Sequence, residues 1–385
     1  MVKRWFLVGV MLLLVPLLVV GCGVAQEDYD AVLAERDAAQ AQVASLQSDM
    51  SETQSQIETL ESDLADAQAQ LTTVQSDYDK VNSDLAKTQD EIDALEILIL
   101  ALSGSLPTTE VEVIYDIEYG NAGGIPLLLD MYIPETPIIT PMPAVIYIHG
   151  GSWLAGDKSD PSRVSTVRAL AHHGFFVVSI NYRLSGVAKF PAQVEDSKCA
   201  VRWLRANAEK YNVDPDRIGV WGDSAGGHLA MMVGCADETA GLEGDGGWEE
   251  YSSRVQAVCS YFGVSDLVSP YRELGKVESP VVIQFLGGTF SQILGIYEAA
   301  SPVEYVSVDD PPLLLVHGDS DQTVPIYQSE DMYEAYQEAG LEATLIEVTG
   351  AGHGFAAVTS SPISPSLDEI EQIVLEFFIK YLLLI

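Results

Sequence analysis

Basic residues are scarce in this chain of 385 residues, which has 19 lysine and arginine side chains against 57 aspartate and glutamate side chains. The formal net charge is −38. A chain with this charge is repelled by the phosphates of nucleic acid and offers few cations to neutralise them. We therefore expect no nucleic-acid partner, and an anionic membrane surface is disfavoured for the same reason.

Cysteine is also scarce, and the apolar content is ordinary. Four cysteines are too few for a disulfide scaffold. A hydrophobic fraction of 48% argues against both wholesale disorder and a polytopic membrane protein. Cys199, Cys235 and Cys259 lie in apolar helix-like or strand-like stretches, which predicts buried small side chains. The sequence has no CxxC motif or Cys/His cluster that would indicate a metal site.

The first segment has the pattern of a secretory signal. Lys3 and Arg4 precede an apolar run over residues 5–20, which is shorter than the roughly 20 residues that span a bilayer. The sequence Val19-Val20-Gly21-Cys22 resembles the bacterial lipoprotein box, which implies cleavage and lipidation of Cys22. We therefore predict a lipoprotein signal over residues 1–22, export, and a lipid anchor in the bacterial cell envelope. An uncleaved anchor or a plain signal peptide is the alternative.

Glycine and proline are both missing from residues 25–103, so nothing there breaks a helix. With Tyr29 at position a, 19 of 22 a and d positions of a seven-residue repeat are apolar, Ala and Tyr included. A strict heptad repeat predicts a coiled coil, here an acidic one that forms a stalk and joins copies of the chain into a homo-oligomer. The alternative is an acidic, disordered linker.

The composition changes after residue 103, and from residue 108 short apolar runs alternate with helix-like stretches. Continuously apolar runs separated by helices predict an α/β domain over residues 108–385, with a mostly parallel sheet covered on both faces. The first two runs, joined by residues 120–124, predict an antiparallel hairpin on the sheet edge. Strands are predicted over 111–115, 127–132, 144–149, 175–180, 218–222, 257–261, 312–317 and 343–348, and helices over 163–172, 194–210, 225–235, 327–339 and 367–382.

A Gly-x-Ser-x-Gly motif carries the candidate nucleophile, Ser224. Residues 222–226 follow an apolar run and open a helix-like stretch, which is the strand–turn–helix context of a nucleophile elbow. Asp223 either tunes the site or anchors the turn. A second motif, His149-Gly150-Gly151-Ser152-Trp153, follows the third predicted strand, where an oxyanion hole is built in such folds. The predicted donors are the backbone N–H groups of Gly150, Gly151 or both, together with Ala225; a simple Gly-Gly turn is the alternative.

The general base follows from elimination among six histidines. In folds with a nucleophile elbow, the triad follows the chain order Ser, then Asp or Glu, then His. Three histidines precede the elbow, His228 lies on its helix, and His317 precedes the acidic candidates. His353 is left as the base. Asp319 and Asp321 both qualify by position as the acid, although Asp319 is the more typical turn residue.

These motifs together resemble those of an α/β-hydrolase of the esterase/lipase group, in particular its bacterial feruloyl/acetyl-xylan esterase-like branch. The pattern H-G-x-x-D-x-x-V-P in that group implies that Asp321 is the acid. The resemblance covers nearly all of residues 108–385 and excludes the leader and the heptad segment. The matching segments are 147–153, 181–184, 190–193, 214–228 and 317–325.

The resemblance implies a serine hydrolase that acts on carboxylic esters without a metal or organic cofactor. We expect short acyl groups, including acetyl or feruloyl groups on polysaccharide. Trp153, Phe290 and Phe355 are candidate pocket residues, and residues 264–305 lie where related enzymes carry a lid. Two rivals remain: an arylformamidase-like or peptidase-like amide hydrolase on the same fold, and a catalytically idle envelope spacer or binding protein.

Overall fold

The computed structural model describes residues 25–102, 108–137, 139–272 and 278–383. The predicted signal peptide and Cys22 lie outside these ranges. The chain divides into two compact units, Met1–Ala86 and Lys87–Ile385. None of the helices in the described ranges is long and apolar enough to cross a membrane.

The heptad segment is one uninterrupted helix, α1, over Gln26–Leu102. Hydrogen bonds from glutamine side chains to acidic side chains four residues later run along its surface, for example from Gln26 to Asp30 and from Gln75 to Asp79. The large apolar side chains of α1 that are exposed, apart from Leu100, occupy the a and d positions of the heptad. The predicted helix is confirmed, and its apolar seam is uncovered in the single chain.

The last turns of α1 belong to the second compact unit, although the composition changes only after residue 103. Ile97 is 9% exposed and lies in an apolar cluster with side chains of the sheet. In the heptad frame Ile97 is an f position, so it lies on a different face of α1 from Leu95 and Ile99, which remain exposed. The division predicted at residues 103–108 therefore differs from the division by packing, because burial of Ile97 ties the helix end to the second unit.

The second unit contains an eight-stranded sheet with the order β1-β2-β4-β3-β5-β6-β7-β8. The pairs β1–β2 and β2–β4 are antiparallel, and the other pairs are parallel. The predicted fold class and the edge hairpin are thus confirmed. The strands are β1 Val111–Ala122, β2 Ile125–Pro134, β3 Met142–Ile148, β4 Phe176–Ile180, β5 Val213–Asp223, β6 Ala257–Tyr261, β7 Leu313–Gly318 and β8 Ala343–Val348.

Alternate residues of the central strands face two apolar layers, which is why these strands are apolar throughout. Ile146 and Val220 face the layer that includes helices Ala192–Ala206 and Ala225–Cys235, whereas Val145 and Trp221 face the layer that includes helices Pro161–His172 and Leu367–Leu383. The helices are α2 Pro161–His172, α3 Ala192–Ala206, α4 Ala208–Tyr211, α5 Ala225–Cys235, α6 Ser269–Arg272, α7 Pro280–Leu286, α8 Leu294–Ala299, α9 Tyr327–Glu338 and α10 Leu367–Leu383, with 3-10 turns at Glu238–Ala240, Pro302–Tyr305 and His353–Phe355.

The hairpin turn is shorter than the predicted connection over residues 120–124. Strand β1 continues to Ala122, and only Gly123 and Gly124 form the turn, with φ of +61° and +84°. Two successive positive φ values suit a two-residue hairpin loop, and glycine adopts them without strain. Elsewhere in the unit, Cys199, Cys235 and Cys259 are buried free thiols, as their apolar sequence context indicates.

Candidate active site

The candidate nucleophile lies on a tight turn between β5 and α5. Ser224 has φ of +54° and ψ of −116°, a conformation that non-glycine residues rarely adopt. Its N–H donates to the carbonyl of Tyr261 at 2.8 Å. A Cβ at Gly226 would lie 2.0 Å from the carbonyl oxygen of Ile148, so only glycine allows the turn to approach β3 this closely. The turn therefore presents the Ser224 hydroxyl at the carboxyl end of the sheet.

Three side chains that are distant in sequence meet at this turn. Ser224 Oγ lies 3.0 Å from His353 Nε2, and His353 Nδ1 lies 2.6 Å from Asp321 Oδ2. Because the Asp321 carboxylate can only accept, Nδ1 carries the proton and Nε2 is left to accept from the serine hydroxyl. The structure thus brings together the residues that the sequence predicted as nucleophile, base and acid.

Asp321 is buried and fully hydrogen-bonded. Its Oδ1 accepts from the backbone N–H groups of Thr323 and Val324 at 2.7 and 3.0 Å. Burial alone would raise its pKa, but the nearby His317 ring and the hydrogen bonds from His353 and the Val324 N–H outweigh burial and hold the pKa well below its usual range. Asp321 is therefore ionised at neutral pH.

Asp319, the other acidic candidate, has a different role in the structure. It is exposed, and its Oδ1 accepts from the Gly350 N–H and from the Ser320 hydroxyl, both at 2.9 Å. It thus joins the end of β7 to the loop before His353 and makes no contact with the His353 ring in the described part of the chain. The structure separates the two aspartates that position in the sequence left equal.

The loop after β3 contains three successive residues with positive φ: Gly151 at +114°, Ser152 at +56° and Trp153 at +56°. The N–H of Gly150 points at Asp223 Oδ1, 3.3 Å away, so it is engaged within the protein. No acceptor in the described ranges takes the N–H of Gly151. Ala225 is the first residue of α5, where helix N–H groups lack partners within the helix. The geometry therefore favours Gly151 and Ala225 as oxyanion donors over Gly150.

Asp223 is an anchor for this loop. Its Oδ1 accepts from the Tyr147 hydroxyl at 2.5 Å as well as from the Gly150 N–H. The carboxylate thereby ties the residue before the nucleophile to β3 and to the start of the loop after β3. Of the two roles that the sequence left open for Asp223, the contacts support anchoring.

A cavity of about 390 Å³ opens beside Ser224. Residues 264–270 and 279–282 supply mostly apolar side chains to one wall, and residues 322–328 supply a more polar wall. Trp153 lines the cavity as expected. Phe290 packs instead on Tyr297, and Phe355 packs on Tyr261 and Phe262, so neither belongs to the cavity wall among the described residues. Aromatic residues near a motif are commonly recruited for packing, which explains this difference from the sequence expectation.

The strained turn predicts an unusual effect of substitution on stability. We expect Ser224→Gly to be more stable than Ser224→Ala by about 1 kcal/mol, because relief of roughly 1–3 kcal/mol of strain exceeds the entropy cost of glycine, about 0.5–1 kcal/mol. Urea unfolding of the two variants measures the difference. The same pair of substitutions at Ser260, which lies within β6, is the control and should show the opposite order. Equal stability of the two position-224 variants would contradict the strain.

A model of the BD-FAE protein family matches residues 129–336, which is more than half of the chain. The chain belongs to the BD-FAE family. The matched range contains Ser224 and Asp321 and ends before His353. The BD-FAE match therefore covers two of the three residues that meet at the elbow, and the structure supplies the third.

Individual relatives are esterases by name. The chain is 32% identical to esterase LipQ of Mycobacterium tuberculosis over 262 residues, which cover 66% of this chain and 61% of the relative. The chain thus spans less than two thirds of the length of this curated relative.

Solved structures share the fold. A truncated carbohydrate esterase from gut microbiota is similar with a TM-score of 0.61 and 30% identity, covering 71% of this chain and 97% of that one. The propionate-bound esterase Est2 of the planctomycete Thermogutta terrifontis is similar with a TM-score of 0.55 and 26% identity, covering 70% and 92%.

Two buried histidines contact residues of the site, and the sequence did not indicate these contacts. His317 is fully buried, with Nε2 2.8 Å from the carbonyl of Val324 and 3.6 Å from Asp321 Oδ2, so it lies directly behind the acid. His228 is fully buried behind Trp153. Chain order excluded both as the base but gave no sign of their contacts; the only signal was their position at the end of β7 and one turn after Ser224.

Proposed function

We propose that this BD-FAE family member is a serine hydrolase that cleaves carboxylic esters of short acyl groups. The observation that carries the proposal is the relay from the Ser224 hydroxyl through the His353 imidazole to the Asp321 carboxylate, with contacts of 3.0 and 2.6 Å. The esterase names of its relatives support the same reaction class. An idle binding protein would have no physical need for this relay beside an open cavity.

The geometry supports a two-stage reaction through an acyl-enzyme. Ser224 Oγ attacks the ester carbonyl carbon as His353 Nε2 takes the hydroxyl proton, and Asp321 stabilises the resulting imidazolium. The carbonyl oxygen becomes an oxyanion, for which the N–H groups of Gly151 and Ala225 are the candidate donors. Collapse expels the alcohol, which receives the proton from His353. Water then attacks the acyl-enzyme by the same steps and releases the acid.

Three observations support short acyl groups and a carbohydrate-linked alcohol. Helix α7 and the polar segment 322–328 both contribute to the wall of the cavity beside Ser224. A relative of known structure holds propionate, and another is a carbohydrate esterase. A polar wall beside an apolar one suits a sugar hydroxyl on one side of the bond and a short acyl chain on the other.

An acyl-length series tests the substrate class. We expect kcat/KM to be highest for acetyl to butyryl esters and to fall at least tenfold for octanoyl and longer esters, in line with the propionate held by a relative. Acetylated xylan should release acetate, and the corresponding aryl amide should be cleaved far more slowly than the aryl ester. Ser224→Ala is the control for contaminating activity. An optimum at long chains would indicate a lipase, and activity confined to amides would favour the amidase alternative.

We further propose that α1 joins copies of the chain through its apolar seam. The seam side chains, such as Leu60, Leu64 and Leu71, are 60–68% exposed in the single chain, and their repeat is the one that coiled coils bury. Burying apolar surface of this seam against another helix would contribute about 25 cal/mol of free energy for each Å² removed from water, which favours association. At about 1.5 Å per residue, the helix Gln26–Leu102 is roughly 115 Å long, so the seam available for association is extensive.

Engineered cysteines test this association in the full chain. Leu60→Cys lies at a d position, and Ser62→Cys lies two residues away on the outer face of the same turn. We expect Leu60→Cys to form a disulfide-linked dimer under mild oxidation, because facing d positions meet in a parallel coil. Ser62→Cys should run as a monomer on the same non-reducing gel. Equal cross-linking of the two, together with a monomeric mass in sedimentation, would contradict the coil.

We also propose that Cys22 carries a lipid that anchors the protein in the bacterial cell envelope. The support is the sequence alone, a basic and apolar leader that ends at a small-residue site with cysteine. Cys22→Ala should shift the protein from the detergent-soluble membrane fraction and remove the lipid mass from its N-terminal peptide. Unchanged membrane retention, with the leader still attached, would indicate an uncleaved signal anchor.

A further inference from the structure

The loop that carries the candidate oxyanion donor Gly151 is held in a conformation that its own sequence disfavours. Ser152 and Trp153 both have φ of +56°, in the left-handed region, and only Gly151 before them adopts positive φ without strain. Such a backbone persists only where surrounding contacts fix it. The contacts that fix this loop therefore decide where the Gly151 N–H points.

The Trp153 side chain makes the most specific of these contacts. Its indole Nε1–H donates to His228 Nδ1 at 3.1 Å, and its ring stacks on Phe285 of α7 with centroids 4.2 Å apart. The Trp153 carbonyl also accepts from the Ser185 N–H at 2.7 Å. Three separate elements thus hold the residue that ends the strained stretch.

His228 can accept this hydrogen bond in only one protonation state. Its Nε2 lies 2.8 Å from the carbonyl of Ala300, which can only accept, so Nε2 must carry the proton. The indole N–H can only donate, so Nδ1 must be bare. Both contacts are satisfied only by the neutral ring with hydrogen on Nε2, and burial that lowers the pKa of His228 to about 4 keeps the ring neutral.

His228 also has a fixed relation to the nucleophile. It lies on α5, and its backbone N–H donates to the carbonyl of Ser224 at 3.0 Å, one helical turn away. The hydrogen bond that this ring accepts from Trp153 therefore sets the distance between the nucleophile and the loop opposite it. Among the described residues, the His228 ring also packs against the rings of Phe285 and Trp153, and neither ring is charged.

We propose that His228 is a positioning residue for the oxyanion hole: through Trp153, it holds the loop with the Gly151 N–H directed at the carbonyl that Ser224 attacks. The proposal rests on the proposed esterase function and assigns that reaction a residue outside the triad. His228 is fully buried and is not among the described residues that line the cavity. Its effect is on the transition state, where the oxyanion forms, and little on binding of the neutral ester.

Four variants of the full chain test the proposal. Trp153→Phe keeps an aromatic ring on Phe285 but removes the donor, and His228→Leu removes the acceptor at similar volume. His228→Asn keeps an acceptor near the position of Nδ1 and should rescue the loop. Trp203→Phe, a buried tryptophan away from the site, is the matched control and should leave turnover unchanged.

We expect Trp153→Phe and His228→Leu each to lower kcat by about 10- to 100-fold, with KM within about threefold of the wild type. The kcat of the double variant should lie within about threefold of the kcat of the slower single variant, since both changes break the same contact. His228→Asn should recover most of kcat. Additive losses, a His228→Asn variant as slow as His228→Leu, or a loss confined to KM would each overturn the proposal.

A second readout separates this proposal from the esterase function itself. The Trp153 indole N–H, assigned by its absence in Trp153→Phe, should exchange slowly with solvent in ¹⁵N NMR spectra and exchange at least tenfold faster in His228→Leu. The rate of Ser224 labelling by a fluorophosphonate should fall in parallel with kcat. If the wild type cleaves no ester while these two signals respond as expected, the esterase proposal fails and the positioning role stands. An indole that exchanges equally fast in both proteins overturns the positioning role whatever the substrate.

Discussion

Replacing Ser224 with alanine should abolish ester hydrolysis while leaving the fold intact. The Ser224 hydroxyl is the only group at the elbow that points to His353 Nε2, at 3.0 Å, in the described part of the chain. Without it no acyl-enzyme forms, and loss of the nucleophile in other serine hydrolases lowers kcat by about 10⁶-fold. Alanine keeps the Cβ and the hydrogen bond from the backbone N–H to Tyr261, so the melting temperature should change by only a few degrees.

The measurement is kcat on an aryl acetate, with folding checked by circular dichroism. Residual turnover on the order of 10³-fold above the uncatalysed rate is compatible with the prediction, because the oxyanion donors and the cavity remain. Turnover within tenfold of the wild type in a folded variant would remove Ser224 from the reaction and with it the serine mechanism.

The second large effect distinguishes the two aspartates after β7. Asp321 Oδ1 is held by the N–H groups of Thr323 and Val324, so in Asp321→Asn the amide oxygen should stay there and the amide N–H₂ should face His353. The imidazole must then accept at Nδ1 and carry its proton on Nε2, where it cannot take the serine proton. We expect kcat to fall by about 10⁴-fold, the effect of the wrong tautomer.

Asp319→Asn is the matched control for this change. Its amide oxygen can still accept from the Gly350 N–H, so we expect kcat within about threefold of the wild type and a loss of stability below about 1 kcal/mol. Each variant removes one carboxylate just after β7, so a difference in net charge cannot explain a difference in kcat between them. Equal losses of kcat in two folded variants would overturn the assignment of the acid.

Much of the architecture follows from local patterns in the sequence. The heptad repeat from Tyr29 and the absence of helix breakers specify α1, because helix period and propensity are properties of neighbouring residues. Likewise the apolar run before Gly222 and the glycines of the elbow specify strand, turn and helix at Ser224. The order of the triad residues along the chain then identifies His353 as the general base without the structure.

Contacts between distant segments could not be predicted in the same way. The engagement of the Gly150 N–H by Asp223 depends on how closely the elbow approaches β3, which no local pattern encodes. The packing of Phe290 and Phe355 away from the cavity depends on which neighbours the chain brings to them. The same aromatic residue types occur in packed cores and in pocket walls, and only the fold distinguishes the two roles.

Ile97 would make the proposed assembly and the melting of the catalytic unit interdependent. The turn of α1 that contributes Ile97 to the core of that unit also displays Leu95 and Ile99 on the seam. Association through the seam, as proposed, would favour the helical state of this turn and so oppose its detachment from the core. The midpoint of thermal denaturation of the catalytic unit should then rise with protein concentration. A fragment that starts after the helix would lose that dependence and expose the apolar surface that Ile97 covers.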